Sequence, residues 1–274
     1  MDDDNKTDRD RRGIQSVEVG GQLLLALAHH GRPMALKDLA REAGMVPAKA
    51  HPYLVSFGKL GLIEQDATSG RYGLGPLALQ LGLISLQQAD PVRIATPLIA
   101  ELAQRIGHTV AIAVWGTRGP TIVRLEESPA PVHVSMRHGT VVSVTDTASG
   151  RLFAAYLPPG QVKAVLEDER RRERADRGPP SPGMPRPEPL PTWKEFEPQL
   201  AEVRSHGMSR SEGAVIQGVS AMSAPVFNHT GTMVLAVTAI GPSGLFDTRW
   251  DGLISQELQQ CARTIGQRLG ERLP

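Results

Sequence analysis

Cysteine is almost missing from this chain: Cys261 is the only one. A single thiol excludes an internal disulfide and any cysteine-built zinc cluster. Long apolar runs are missing too, and none approaches the roughly 20 residues that span a bilayer. The opening stretch, MDDDNKTDRDRRG, has no apolar core of the kind a signal peptide needs. These absences predict a cytoplasmic protein with no membrane partner. Net charge is only +1, so the chain as a whole is no polyelectrolyte binder. The hydrophobic and charged contents, 40% and 22%, are ordinary for a globular protein, and 274 residues suffice for one large domain or two ordinary ones.

Catalytic signatures are also absent. There is no G-x-S-x-G, no H-E-x-x-H and no Walker-type phosphate loop. Ser149 stands in Ala-Ser-Gly, without the glycine two residues earlier that a nucleophile elbow requires. His133 and His138 have neither a cysteine nor a clustered acidic partner, which argues against a metal site. No cofactor is implied. Cys261 lies on an apolar helical stripe and reads as core.

What charge there is lies unevenly. Between residues 9 and 75 stand Arg9, Arg11, Arg12, Arg32, Lys37, Arg41, Lys49, Lys59 and Arg71, against Asp10, Glu18, Asp38, Glu42, Glu64 and Asp66. That modestly basic segment permits DNA binding without requiring it. Residues 1–13 read as a disordered tail. A helix is predicted from Ser16, its N-cap, to Gly31, with Val19, Leu23, Leu24, Leu27 and Ala28 at helical spacing. Residues 36–43 form a second helix, stopped by Gly44, and residues 47–59 a third, offering Tyr53, Leu54 and Phe57 to the core. Strand-like runs at 62–65 and 71–74 flank a turn. Three helices and a hairpin in this order predict a winged helix–turn–helix over residues 14–75.

Residues 76–89, PLALQLGLISLQQA, carry two apolar stripes rather than one. At about 100° per residue, Leu77, Leu81 and Ile84 form the first and Leu79, Leu83 and Leu86 the second, on the opposite side. Two opposed faces need two partners. Either this helix is buried within its own domain, or it lies between the rest of the chain and a second subunit, as a dimerising linker over 76–90. From Asp90 the pattern becomes mixed. Helices are predicted at 91–106, 148–157, 160–177, 193–205 and 247–273, the last with Trp250, Ile254, Leu258, Cys261 and Ile265 as its stripe. The runs TVAIAVWG, PTIVRLEE, GVSAMSAPVF and TMVLAVTAI read as strands, and the proline-dense 178–191 as a mobile loop. This order predicts an α+β domain over 91–274, an antiparallel sheet with helices packed on it.

Four stretches taken in order, HHGRPMALKDLAREAGM, AHPYLVSFGKLGLIEQDATSGRYGLGP, TASGRLFAAYLP and GVSAMSAPVFNHTGTMVLAVTAIGP, resemble the IclR family of bacterial transcription regulators. The resemblance runs from about Ile14 to the C-terminus. It implies a winged helix, a linker helix and a C-terminal effector domain of GAF-like topology. It also implies dimers or dimers of dimers, and effectors that are small organic molecules, often carboxylic or aromatic acids.

Within the predicted winged helix, donors for base edges and phosphates are Lys37, Arg41, Lys49, His51, Ser56, Lys59 and, on the hairpin, Arg71. Ala48 and Tyr53 complete the set expected to face double-stranded operator DNA. Any one of these charges also reads as a solvated surface group. The family usually has a Ser/Thr pair at Ala48 and Lys49 and an arginine at Pro52, so base contacts here differ from its pattern. Proline costs roughly 3 kcal/mol in a helix interior. The first turn tolerates it, because the N–H groups there have no helical partner. The regular helix is therefore expected to begin around residues 49–51, with Pro52 in its first turn.

By position in the family, an effector pocket is lined by Met136, Ala148, Ser149, Ser211, Glu212, Val219, Ala221, Thr238 and Ile240. Apolar walls with a few orienting polar groups suit a small ligand. Ser149 and nearby backbone N–H groups, where the chain enters a helix, offer a cradle for a carboxylate. Ser149 and Thr238 read equally well as satisfied core hydroxyls, and Arg137 and His138 as solvated. The expected function is a transcription regulator whose operator binding answers to a small organic acid. A ligand-sensing adaptor that binds protein, or an enzyme working through the C-terminal half, stays open as an alternative.

Overall fold

The computed structural model describes residues 13–127, 136–176, 189–213 and 217–271. The predicted tail therefore falls almost wholly outside the described residues, as do His133 and most of the proline-dense loop. The chain divides into two compact units, Met1–Ala89 and Asp90–Pro274.

The first unit begins with three helices, α1 (Gln15–His30), α2 (Leu36–Glu42) and α3 (Pro47–Leu60). The strands β1 (Ile63–Gln65) and β2 (Tyr72–Leu74) pair antiparallel, and Met34 adds a bridge to Tyr72, so the wing has a third strand segment. Leu23, Leu27, Leu39, Ala40, Ala50, Leu54 and Ile63 are buried together as the core. Ser16 does not cap α1: Ile14 occupies that position, with no side-chain cap bond. Ala28 is exposed and Ala26 is buried in its place. α4 (Pro76–Gln88) closes the unit. Gly75 leads into it so close to the Gly61 carbonyl that a Cβ would stand 2.5 Å from the oxygen.

α3 runs as unbroken helix from Pro47, with Val46 as its N-cap, so Pro52 is its sixth residue and not part of a delayed first turn. The expectation of a start near residues 49–51 is wrong. Pro47 takes the first helical position, where proline is favoured. The Lys49 and Ala50 N–H groups already donate to the Val46 carbonyl at 3.0 and 3.1 Å. Burial of Ala50 and Leu54 fixes the helix on both sides of Pro52. The bond that Pro52 cannot make would have ended on the Ala48 carbonyl, on an exposed residue where water can substitute.

The second unit is an α+β layer structure. Its sheet has the order β4-β3-β7-β6-β5, all antiparallel, from β3 (Thr109–Gly116), β4 (Gly119–Glu126), β5 (Ser209–Glu212), β6 (Val219–Phe227) and β7 (Met233–Pro242). Helices α5 (Pro91–Ile106) and α10 (Leu253–Arg268) pack on each other and on the sheet. α6 (Ala148–Tyr156) covers β6 and β7, with its Leu152 and Phe153 in one core with Ala111, Ala113 and Ala236. α7 is Pro159–Asp176. A central strand covered on both faces has no solvent side, which is why β7 is apolar but for Thr238, whose hydroxyl is hydrogen-bonded internally.

Three boundaries differ from expectation. The helix predicted at 193–205 is α8 (Trp193–Phe196), a 3₁₀ turn at Glu197–Gln199 and α9 (Leu200–His206), the interruption falling at Pro198. The closing helix begins at Leu253, not at 247. Before it, the Asp247 carboxylate accepts from the Arg249 backbone N–H and guanidinium, holding a turn. Trp250 is thereby outside the helical stripe, stacked on His206 at 4.1 Å. Finally, β5 is a short polar edge strand that alternation of Ser, Arg, Ser and Glu did not announce.

Candidate nucleic-acid interface and ligand cavity

On α3 the buried side is Ala50 and Leu54, with Tyr53 and Phe57 half-buried against the same core. The Tyr53 ring faces α1, where a Cβ on Gly20 would meet it at 2.8 Å. Of the predicted DNA-facing residues, Tyr53 thus packs inward, because helical spacing puts it beside Ala50, Leu54 and Phe57. Ala48, Lys49, His51, Ser56 and Lys59 are all exposed. The Ser56 hydroxyl donates to the Pro52 carbonyl at 3.0 Å, so its proton is already used.

Lys37 and Arg41 are exposed on α2, and Arg41 pairs with Asp38 at 2.9 Å. A pair so exposed holds little energy and leaves other guanidinium N–H groups free to turn to an anion. In the wing, Asp66 accepts from the Ser69 hydroxyl and from the Ser69 and Thr68 N–H groups. Those bonds hold its carboxyl below the usual range. Arg71 follows and donates to the Pro33 carbonyl at 3.3 Å, which ties the wing to the chain ahead of α2.

A cavity of the second unit lies between the sheet and α6. It measures about 90 Å³ and is lined by Ile122, Met136, Val142, Thr147, Ala148, Ser149, Ser211, Val219, Ala221, Thr238 and Ile240. Every residue expected to line an effector pocket is on this wall except Glu212. Strand alternation explains the exception: Ser209 and Ser211 of β5 are buried and Glu212 is exposed. Ile122, Val142 and Thr147 went unpredicted. Thr147 had a legible signal, since a threonine before a helical run is a favoured N-cap, and its hydroxyl accepts from the Gly150 N–H at 2.9 Å.

The cavity's polar groups form a short buried chain. The Ser149 and Thr238 hydroxyls are 2.8 Å apart, and Thr238 and Ser223 are also 2.8 Å apart. Ser149 and Thr238 are thus hydrogen-bonded inside the domain and also lie on the cavity wall. Ser211 donates to the Asp146 carbonyl at 2.9 Å and anchors the loop ahead of α6. That loop rests on Glu169 of α7, which accepts from the Val144 N–H at 3.2 Å. Burial pushes the Glu169 carboxyl up to about 7, with Asp146 adding repulsion. Gly150 permits the close packing, since a Cβ there would lie 2.1 Å from the Ser143 carbonyl oxygen.

Arg137 and His138 are exposed and do not reach the cavity wall. Cys261 is buried in α10, and burial pushes its thiol up to about 11. Among the described residues no cluster of His, Cys, Asp or Glu converges to hold a metal ion, and no helix is long and apolar enough to cross a membrane.

Comparisons with known proteins agree with this architecture. HmgR of Pseudomonas aeruginosa, a crystal structure, aligns over 95% of this chain and 100% of its own at TM-score 0.83 and 31% identity. The glycerol operon regulatory protein of Streptomyces coelicolor is 28% identical, over 94% of this chain and 98% of its own. The HTH-type transcriptional regulator XynR of Escherichia coli is 24% identical, again over 94% and 98%. The IclR helix-turn-helix domain matches residues 16–67, and the C-terminal domain of the bacterial transcriptional regulator IclR matches residues 84–267. With the two matches following each other along the chain, the protein belongs to the IclR family of DNA-binding transcriptional regulators.

Proposed function

We propose that the protein binds a specific operator through residues 14–75 and that a small organic acid, held in the cavity of residues 91–274, controls that binding. One observation carries the reading: a helix of a helix–turn–helix with one exposed face, α3, and a partly open, hydroxyl-bearing cavity occur in one chain. α3 enters the major groove with Ala48, Lys49, His51 and Ser56 toward the bases. Lys37, Arg41, Lys59 and Arg71 contact phosphates. Among the described residues no cationic side chain lines the cavity, so a carboxylate is held by the Ser149 hydroxyl and the N–H groups at the start of α6, the Thr147 hydroxyl being already engaged with the Ser143 carbonyl and the Gly150 N–H. An acid of a few carbons fits 90 Å³ as it stands. An aromatic acid requires the half-buried Met136 and Val142 to move, since benzene occupies a cavity of roughly 150 Å³.

α4 supports self-association. None of its residues is buried, and Leu79, Leu81, Leu83, Ile84 and Leu86 are all exposed. We assign residues 76–90 as a linker helix that pairs with a second copy, giving a dimer or a dimer of dimers.

The test is a gel shift on DNA upstream of the protein's own gene, across a salt series and a panel of small acids. Binding should weaken with salt by a slope of about 0.9 per phosphate contacted. One acid should change the affinity. Binding that ignores every acid in the panel would leave a DNA-binding protein without the proposed control. Absence of sequence-specific binding would reject the reading.

A further inference from the structure

α3 reads PAKAHPYLVSFGKL, with no Arg, Asn, Gln, Asp or Glu. The side chains that form two-pronged hydrogen bonds to guanine or adenine are thus absent, apart from lysine. Its solvent side is instead apolar along its centre. Ala48, Pro52 and Val55 follow one another at spacings of four and three, directly opposite Ala50 and Phe57. All three are exposed, Val55 at 45%, and Val46 at the N-cap is exposed at 64%. Lys49 and His51 flank this strip near the start of the helix, and Lys59 lies at its far end.

Among the described residues of the first unit, the core is closed by the other side of α3 and does not include these apolar groups. The one apolar group that the major groove offers at a base edge is the C5-methyl of thymine. We infer that this protein reads its operator chiefly by seating thymine methyls against Ala48, Pro52 and Val55. Lys49 and His51 add the hydrogen bonds that fix the register. The inference rests on the DNA-binding reading above and names what that reading recognises. Position favours it for two of the three: a docked recognition helix meets base edges with its N-terminal residues, and Ala48 and Pro52 are the second and sixth of the 14 residues of α3, with Val55 extending the strip one turn further. Pro52 is suited to the role, since its ring presents carbon to the groove and carries no donor that would be left unpaired there.

The experiment uses the full-length protein. A random-sequence duplex library is selected for binding, and the enriched half-site is synthesised with each thymine replaced in turn by deoxyuridine, which lacks only the methyl. At one or more positions, each methyl removed should weaken binding about fourfold, the factor for withholding one buried carbon. Val55→Ala or Pro52→Ala, both at exposed positions, should bind thymine and uracil duplexes equally at one of those positions. The inference is overturned if every uracil duplex binds like the parent, or if both variants discriminate as the wild type does. A library that yields no enriched sequence refutes the DNA reading itself, and an enriched sequence indifferent to uracil refutes only the inference.

Discussion

At the scale of single residues, Pro52 is the position where sequence reasoning and structure part. On hydrogen bonding alone a later helix start is the cheaper solution, because it costs no bond. The structure keeps the helix and gives up one bond on the solvent side, since Ala50 and Leu54 must both reach the core. A prediction follows from that choice. Pro52→Ala restores an N–H beneath the Ala48 carbonyl and should stabilise α3 by about 1–2 kcal/mol, less than the full proline penalty because Ala48 is exposed and its carbonyl is open to solvent. Hydrogen exchange of α3 amides, followed by mass spectrometry, should slow by about tenfold. Unchanged exchange would mean that Pro52 imposes no strain on α3. Other single residues were readable for simple reasons. Ser149, Thr238, Ser211 and Met136 were placed by motif order and do line the cavity. Glu212 was misplaced because the motif gave its neighbourhood but not the face of a strand that had gone unseen.

At the scale of elements, long periodic segments were legible and short polar ones were not. α1, α2, α5, α6 and the strands β3, β4, β6 and β7 have apolar side chains whose spacing declares them. β5 has none, and it exists because its Ser209–Glu212 backbone pairs with Ser220–Ser223 of β6. The turn before α10 depends on Asp247 bonding Arg249, a local side-chain effect that stops the helix from extending back although the apolar spacing of the sequence continues through Trp250. α4 is the opposite case: its pattern was plain and its partner was not. The alternative of burial within its own domain is removed, because no α4 residue is buried. Leu77 rests beside Gly61, while Leu79 and Leu83 stay exposed at 66% and 53%. Covering each such leucine is worth roughly 1.5–3 kcal/mol. Leu83→Glu places a charge in the middle of that stripe and should shift the protein toward monomer by light scattering, with its far-ultraviolet circular dichroism unchanged. An unaltered mass at micromolar concentration would take α4 out of the subunit contact.

At the scale of the whole molecule, the cavity and α3 belong to different compact units. An acid in the cavity can alter DNA binding only if it favours one arrangement of the paired chains over another, and only by the difference in its affinity for the two. Two half-sites on a duplex impose a fixed spacing on two copies of α3, so an arrangement that changes that spacing changes operator affinity. Such coupling is reciprocal: whatever factor the acid applies to operator affinity, operator DNA must apply to acid affinity. Calorimetric titration of the acid with and without saturating operator should therefore return the same factor as gel shifts with and without saturating acid. Thr238→Val serves as the control. It keeps the side chain's shape but removes the hydroxyl that joins Ser149 to Ser223, which should weaken the acid about tenfold, the scale of losing a buried hydrogen bond. The acid concentration at half-effect should rise by that amount, while the effect at saturation is preserved. A factor of one in both titrations would mean that the cavity and operator binding are not coupled.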